Sequence, residues 1–487
     1  MKEMNRRRTV ERLVVLALAG LVLLSGFSGC FGREKAPGPG PKESLGDGGA
    51  GTQVENSTAQ SIRKEFEFAW NCYKQYAWGY DELMPLSKTH DNWYGESLGM
   101  TIVDSLDSLY LLGLHDEYLV AHNWIVHNLD FDKNISVSVF EVNIRLLGGL
   151  ITGYQIFGDQ RLLELAVDLA NRLLPAFESP TEMPYRFVNL RTGEVEDANS
   201  NSGEIGTLTL EFGMLSKLTG NPVYYEKAKN AVKALYERRS PTTNLVGTMI
   251  NVENGQWILP AAHIGGMIDS YYEYLYKAGV LFEDKDMLDM WNVSVDGINT
   301  YLADSVYQIA SGELWYGYGD MITGQSVGKV FSALACFFPG LLGLSGDTER
   351  AKLLIESCWK MWEKWELAPE AFEYTTMQLV PYMESYQLRP EFAESLYYMW
   401  KLTGDEKYRD IGKTVFEDIV KYCKCEGGYT IITNVGTKEQ GDLMHSFFLA
   451  ETLKYLYLLY EDNSIITLNN VVFTTEAHPF FIEKIGG

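Results

Sequence analysis

Carboxylates stand in this chain where a helical interior normally has none. Asp104 and Asp107, Glu141, Glu211, Asp269, Glu391 with Glu394, and Glu451 fall in stretches that are otherwise apolar on most sides. Acids are rarely buried unless paired or serving a site. Arg145 follows Glu141 by four residues and Glu394 follows Glu391 by three, spacings that share a helix face. Arg389-Pro390-Glu391 puts Pro in a first helical turn, so Glu391 stands near the positive end of a helix. Close to the C-terminus, an apolar run ending in Phe473 delivers Thr474-Thr475-Glu476-Ala477-His478. Hydroxyl, carbonyl and carboxylate oxygens of that kind suit a hard cation such as Ca²⁺. For any single acid a satisfied ion pair in the core is the commoner outcome. Six helices each contributing at least one, beside such a tail, point to a site. Many carboxylates with no nucleophile setting fit acid–base hydrolysis of a glycoside. Ser332 and Ser446 lie outside any Gly-x-Ser-x-Gly elbow, which argues against a serine hydrolase.

The elements that must position these groups repeat. Turns at Gly113-Leu114-His115-Asp116, Gly158-Asp159, Gly220-Asn221-Pro222, Gly346-Asp347 and Gly404-Asp405 each stop one helix and cap the next. After Gly158, Leu162, Leu165, Ala166, Leu169, Leu173 and Phe177 recur at helical period on one face. The stretches Met100 to Leu112, Val137 to Phe157, Gly206 to Leu218, His263 to Leu281, Val327 to Leu344, Pro390 to Leu402 and His445 to Tyr460 are apolar on most sides and are expected to be buried helices. Seven polar-backed helices, the first from about Ile62 to Trp78, alternate with these seven. Fourteen such helices close into two concentric rings, with an open solenoid as the rival. The tail, strand-like from Ile465 to Phe473, favours the closed form, because an apolar strand carrying polar ligands needs a central cavity.

The chain has 487 residues and a net charge of -24, which argues against nucleic acid or anionic lipid as a partner and fits a neutral substrate or a cation. Residues 1–30 read as a targeting segment: Arg6, Arg7, Arg8 and Arg12, an apolar run from Leu13 to Leu24, then Ser28-Gly29-Cys30. Ending on Cys30, it resembles a prokaryotic lipoprotein signal, with Cys30 as the lipid anchor at a prokaryotic cell surface; an uncleaved anchor is the alternative. Residues 31–60 read as a Gly/Pro-rich tether and 61–487 as one catalytic domain, expected to be a monomer. Cys336 and Cys358, on neighbouring expected helices, are the best disulfide pair, with two buried thiols as the alternative.

Several longer motifs carry a resemblance. They are Thr101-Ile102-Val103-Asp104-Ser105-Leu106-Asp107-Ser108-Leu109-Tyr110, Phe140-Glu141-Val142-Asn143-Ile144-Arg145, Asp269-Ser270-Tyr271-Tyr272-Glu273-Tyr274-Leu275, Leu388-Arg389-Pro390-Glu391, Ser446-Phe447-Phe448-Leu449-Ala450-Glu451-Thr452 and Thr475-Glu476-Ala477-His478-Pro479. In this order they resemble glycoside hydrolase family 47, the class I α-mannosidases that remove α-1,2-linked mannose from glycans. The resemblance implies an (α/α)7 barrel plugged by a C-terminal β-hairpin, a Ca²⁺ ion at the barrel base and inversion at the anomeric carbon. It implies Glu141 as general acid acting through a water, Glu391 as general base and Asp269 as the third essential carboxylate. Thr475 is then the direct protein ligand of Ca²⁺, with Glu211, Glu394, Glu451 and Glu476 holding its waters. Phe447 is implied to stack on the sugar, Arg145 and Arg389 to line the site, and Cys336–Cys358 to match a disulfide of the family. Met267 stands where many endoplasmic-reticulum members carry Arg, and Ala333 where some carry His. A mannose-glycan-binding protein that has lost turnover on the same barrel is the alternative function.

Overall fold

The computed structural model describes residues 57–304, 312–461 and 465–482; Cys30 and the targeting segment lie outside them. Among the described residues the expected alternation is present. The polar-backed helices are α1 (Ser57–Tyr76), α3 (His115–Asn128), α5 (Gln160–Leu173), α7 (Val223–Glu237), α9 (Lys285–Tyr301), α11 (Thr348–Trp365) and α13 (Lys407–Cys423). Between them run the inner elements α2 (100–111, broken at Ser105), α4 (139–157), α6 (202–219, broken at 207–208), α8 (Asp269–Leu281), α10 (333–344), α12 (Glu391–Thr403) and α14 (448–460). The two sets form the inner and outer rings of an (α/α)7 barrel.

The physical cause of each ring is local. In α5 the residues Leu162, Leu165, Ala166, Leu169 and Leu173 are all buried, a single face at period 3.6, while the opposite side is polar. In α12 every residue from Phe392 to Met399 is buried, as a helix covered on all sides must be. The turns are as the sequence suggests. Gly158 takes a left-handed φ of 76° to end α4, and the Asp159 side chain accepts from the Arg161 N–H to start α5; Asp347 does the same for α11 through the Arg350 N–H. Such caps stabilise a helix by about 1 kcal/mol.

The boundaries differ from the sequence expectation in two ways. Helix α1 begins at Ser57, five residues before Ile62. Helices α4 and α10 start later than expected because the residues ahead of them are strands, while α8 starts six residues late at Asp269 and α6 starts early, at Ser202. Ser136–Ser138 pairs with Phe187–Asn189, Asn199–Asn201 with Met249–Asn251, Ala261–Ala262 with Tyr318–Asp320, and Val330–Ser332 with Ala371–Glu373. Each strand leading into one inner helix thus pairs with a hairpin in the next connector. These small sheets ring the end of the barrel at which the inner helices begin.

The C-terminal hairpin fills the other end. Its strands are Val471–Phe473 and Pro479–Phe481, shorter than the run from Ile465 that composition suggests. Phe473 packs among the rings of Tyr397, Tyr398 and Tyr455, with centroids 5.9, 6.4 and 5.5 Å away. Gln155 near the end of α4 satisfies both backbone groups of Phe481, donating to its carbonyl at 3.1 Å and accepting from its N–H at 3.2 Å. The hairpin turn, residues 474–478, reaches the barrel's centre. There Gly148 of α4 is required by close approach, since a Cβ would meet the His478 ring at 2.6 Å. Cys336 and Cys358 are joined in a disulfide, with Cα atoms 5.9 Å apart, tying α10 to α11.

Candidate active site

Two charged clusters face each other inside the crowned end. The first is built on α4. The Ser138 hydroxyl caps the helix by accepting from the Glu141 N–H, which fixes Glu141 in the first turn. One turn later Arg145 lies on a π-helical segment, Asn143–Leu147, a distortion frequent at functional sites. Its guanidinium donates to Glu141 Oε2 at 3.1 and 3.0 Å. It also pairs with Glu476 and lies 3.5 Å from Asp104. Glu141 is partly exposed, its side chain retaining 30% of its surface. Glu476 is buried; burial drives its carboxyl well above the usual range, against the pull of Arg145.

The second cluster is built on α8 and α12. Asp269 and Glu391 each occupy the first position of their helix. Burial pushes Asp269 up to about 7, with the neighbouring Ser270 N–H opposing. Burial also pushes Glu391 up to about 7, with Arg389 opposing. Glu391 Oε2 is buried and has no hydrogen-bond partner in the protein. Arg389 is held by a two-pronged pairing with Glu370, at 2.9 and 2.8 Å. Glu394, one turn into α12, receives the Lys277 ammonium at 3.4 Å, and burial raises it to about 8.

Phe447 joins the clusters. The Arg145 and Arg389 guanidinium carbons lie 5.6 and 5.7 Å from its ring centroid, and His445 stacks on it at 4.8 Å. Phe447 is itself buried. Glu451 sits on a second π-helical segment, Phe448–Thr452. Burial, followed by the nearby charges of Glu476 and Glu391, holds its carboxyl well above the ordinary value.

The hairpin turn supplies the floor. Thr475 is half-buried, and its N–H donates to the Tyr274 hydroxyl at 3.3 Å. That hydroxyl donates in turn to Glu211 at 2.6 Å. Glu211 also accepts from Asn143 at 3.0 Å, and burial raises it to about 7. Behind the turn, His478 bridges Asp107 at 2.7 Å and Asp104 at 3.3 Å. Burial pulls the imidazole down, but the carboxylates outweigh it and hold His478 above its usual range. Lys454, also fully buried, binds Asp107 and the Ala477 carbonyl at 2.7 Å each.

The carboxylates singled out from sequence therefore lie in one region with Thr475 and both arginines. Others were missed. Glu273 and Lys277 form a buried ion pair at 2.5 Å, and their i, i+4 spacing on an apolar helix was a readable signal. Glu370, in a connector, and Trp93, whose ring lies 5.1 Å from the Arg145 guanidinium, carried none.

Known proteins resemble this chain over most of its length. The family model for glycosyl hydrolase family 47 matches residues 65–482. A mannosyl-oligosaccharide 1,2-alpha-mannosidase of Arabidopsis thaliana is 37% identical, over 88% of this chain and 79% of its own. The endoplasmic reticulum mannosyl-oligosaccharide 1,2-alpha-mannosidase of Rattus norvegicus is 36% identical, over 87% and 68%. The mannosyl-oligosaccharide 1,2-alpha-mannosidase IB of Homo sapiens is 37% identical, over 86% and 69%. The solved alpha-1,2-mannosidase from Trichoderma reesei superposes with a TM-score of 0.82 at 28% identity, covering 88% of this chain and 99% of that one. These plant and mammalian relatives overturn the expectation of a prokaryotic cell-surface protein. No helix among the described residues is long and apolar enough to cross a membrane. With the family's motifs gathered in one barrel and its model matched across most of the sequence, the chain belongs to glycosyl hydrolase family 47 and is a glycosidase.

Proposed function

We propose that the protein is an exo-acting α-1,2-mannosidase that depends on Ca²⁺ and inverts the anomeric carbon. The observation that carries this reading is the pair of acid–arginine clusters on non-adjacent inner helices, Glu141 with Arg145 and Glu391 with Arg389, on either side of Phe447. Inversion needs an acid and a base on opposite faces of the sugar with space for a water, about 6.5–9.5 Å between carboxyls. Two non-adjacent helices can supply that space, whereas neighbours on one helix cannot.

The residue roles follow from environment. Glu391 has an oxygen with no protein partner and a carboxyl raised to about 7, so near neutrality it accepts a proton from an attacking water. Glu141 keeps contact with solvent, which suits proton delivery to the leaving oxygen through a water. Arg145 orients Glu141 by two donors from one guanidinium. Asp269, beside Glu391 and Arg389, is assigned to holding the attacking water or a sugar hydroxyl.

A cation fits the floor of the site. Asp104, Asp107, Glu211, Glu273, Glu394, Glu451 and Glu476 are buried around it and outnumber Arg145, Lys277, Lys454 and His478. Among the described residues no cluster of three or more His, Cys, Asp or Glu is placed to ligate a metal directly. The family resemblance assigns it to Thr475, through its hydroxyl and carbonyl oxygens, with Glu211, Glu394, Glu451 and Glu476 acting through waters. Bound there, Ca²⁺ supplies positive charge to vicinal sugar hydroxyls.

The test is release of mannose from α-1,2-mannobiose, with the α-1,3 and α-1,6 isomers as controls and EDTA as a further arm. Release from the α-1,2 isomer alone, abolished by EDTA and restored by Ca²⁺, is expected. Equal release from all three isomers, or full activity in EDTA, contradicts the proposal.

A further inference from the structure

The three described cysteines outside the Cys336–Cys358 bond lie together. Cys72 is on α1, Cys423 ends α13, and Cys425 follows in the short strand Lys424–Cys425, which pairs with Gly428–Tyr429. In that register Cys425 stands directly opposite Gly428. Direct partners place their side chains on one face of a hairpin, with Cβ positions about 5 Å apart. A Cβ at Gly428 would lie 3.6 Å from the Cβ of Cys72. Cys72 therefore faces the side of the hairpin that carries the Cys425 side chain. The Cys72 thiol donates to the carbonyl of Glu426, the residue next to Cys425 in the same turn, at 4.0 Å. Burial raises the Cys425 thiol, with the Gly427 and Gly428 N–H groups opposing. Cys425 is half-buried and open to a small reagent, while Cys72 is buried behind it and Cys423 is fully buried.

We propose that Cys72 and Cys425 are a redox modification site that a small-molecule disulfide, such as glutathione disulfide, closes into a second intramolecular bond. Cys425, as thiolate, attacks one sulfur of the oxidant, forming a mixed disulfide and expelling one glutathione thiolate. Cys72, as thiolate, then attacks the Cys425 sulfur and expels the second. Two protein thiols are oxidised, one disulfide is reduced to two thiols, and the two cysteine protons end on them. The bond joins the first outer helix to the segment after the last outer helix, across the seam where the ring closes. Its loop spans nearly the whole barrel, the arrangement in which a crosslink restricts the unfolded chain most.

The test is to equilibrate the full chain with glutathione disulfide and map its cysteines by alkylation and peptide mass. The expected product links Cys72 to Cys425, carries no glutathione on either and leaves Cys423 alkylatable after unfolding. Its melting temperature rises by about 5 °C over the reduced form, from loop-closure entropy spread over a barrel of this size. Cys72→Ser should instead accumulate one glutathione on Cys425, and Cys425→Ser should leave Cys72 unmodified. A Cys423–Cys425 or Cys72–Cys423 link, a stable glutathione adduct on Cys72 or Cys425 of the unsubstituted protein, or no reaction at Cys425 overturns the proposal.

Discussion

Replacing Glu391 by Gln should cost activity and add stability at once. The amide matches the carboxylate in shape, and Glu391 Oε2 has no protein partner to lose. It cannot take a proton from water, so turnover should fall about 10²–10⁴-fold, the usual contribution of a general base. Stability moves the other way. Glu391 titrates near 7 in the folded protein against a reference of 4.5, so the folded state binds the proton more tightly than the unfolded state. Such a group lowers stability as pH rises from about 4.5 to 7 and leaves the whole deficit in place above 7. A shift of this size corresponds to about 3 kcal/mol, or about 3 °C of melting temperature for a barrel of this size. The assay is a pair of melting curves with EDTA present, at pH 5 and pH 8, beside turnover measured with Ca²⁺. The gain of Glu391→Gln should be small at pH 5 and near its full value at pH 8. A variant that hydrolyses at the normal rate, or a gain that does not grow with pH, would contradict the role given to Glu391.

Other expectations follow from the same geometry. Glu141→Gln should lose about 10²–10⁴-fold on mannobiose but far less on an aryl mannoside whose leaving group needs no proton; equal loss on both removes Glu141 from the acid role. Chelation should abolish hydrolysis and lower the melting temperature together, since a ligand bound only by the folded state stabilises it, and Thr475→Ala should weaken both responses to added Ca²⁺. Phe473→Ala, which empties a pocket among Tyr397, Tyr398 and Tyr455, should destabilise by about 3–5 kcal/mol; a change under about 1 kcal/mol would mean the hairpin does not plug the barrel.

The rings were legible in the sequence because their signals are long. Gly158-Asp159 marks an end and a start in two residues, and α5 repeats its apolar face over four turns. The acids were legible because Glu141, Glu211 and Glu451 interrupt helices that are otherwise apolar, where a charge has no ordinary reason to be. The strands at Ser136–Ser138 and Val330–Ser332 were not legible. Three residues carry no measurable period, and their pairing partners lie some forty residues away or more. The π-helical segments holding Arg145 and Glu451 were hidden for a different reason. One extra residue in a turn leaves the apolar pattern nearly unchanged while rotating the side chains that follow. Glu370 shows the remaining limit: its pairing with Arg389 is made by tertiary packing, and its own connector gives no hint of a charged partner.

Hydrolysis of an α-1,2-mannosidic bond between an acid and a base on opposite faces of the sugar fixes the configuration of the first product, which proton NMR of the mannose released from α-1,2-mannobiose reads before mutarotation. β-Mannose is the expected initial product, decaying later to the equilibrium mixture. Initial α-mannose, or no mannose from an active-site-intact protein supplied with Ca²⁺, would contradict this mechanism.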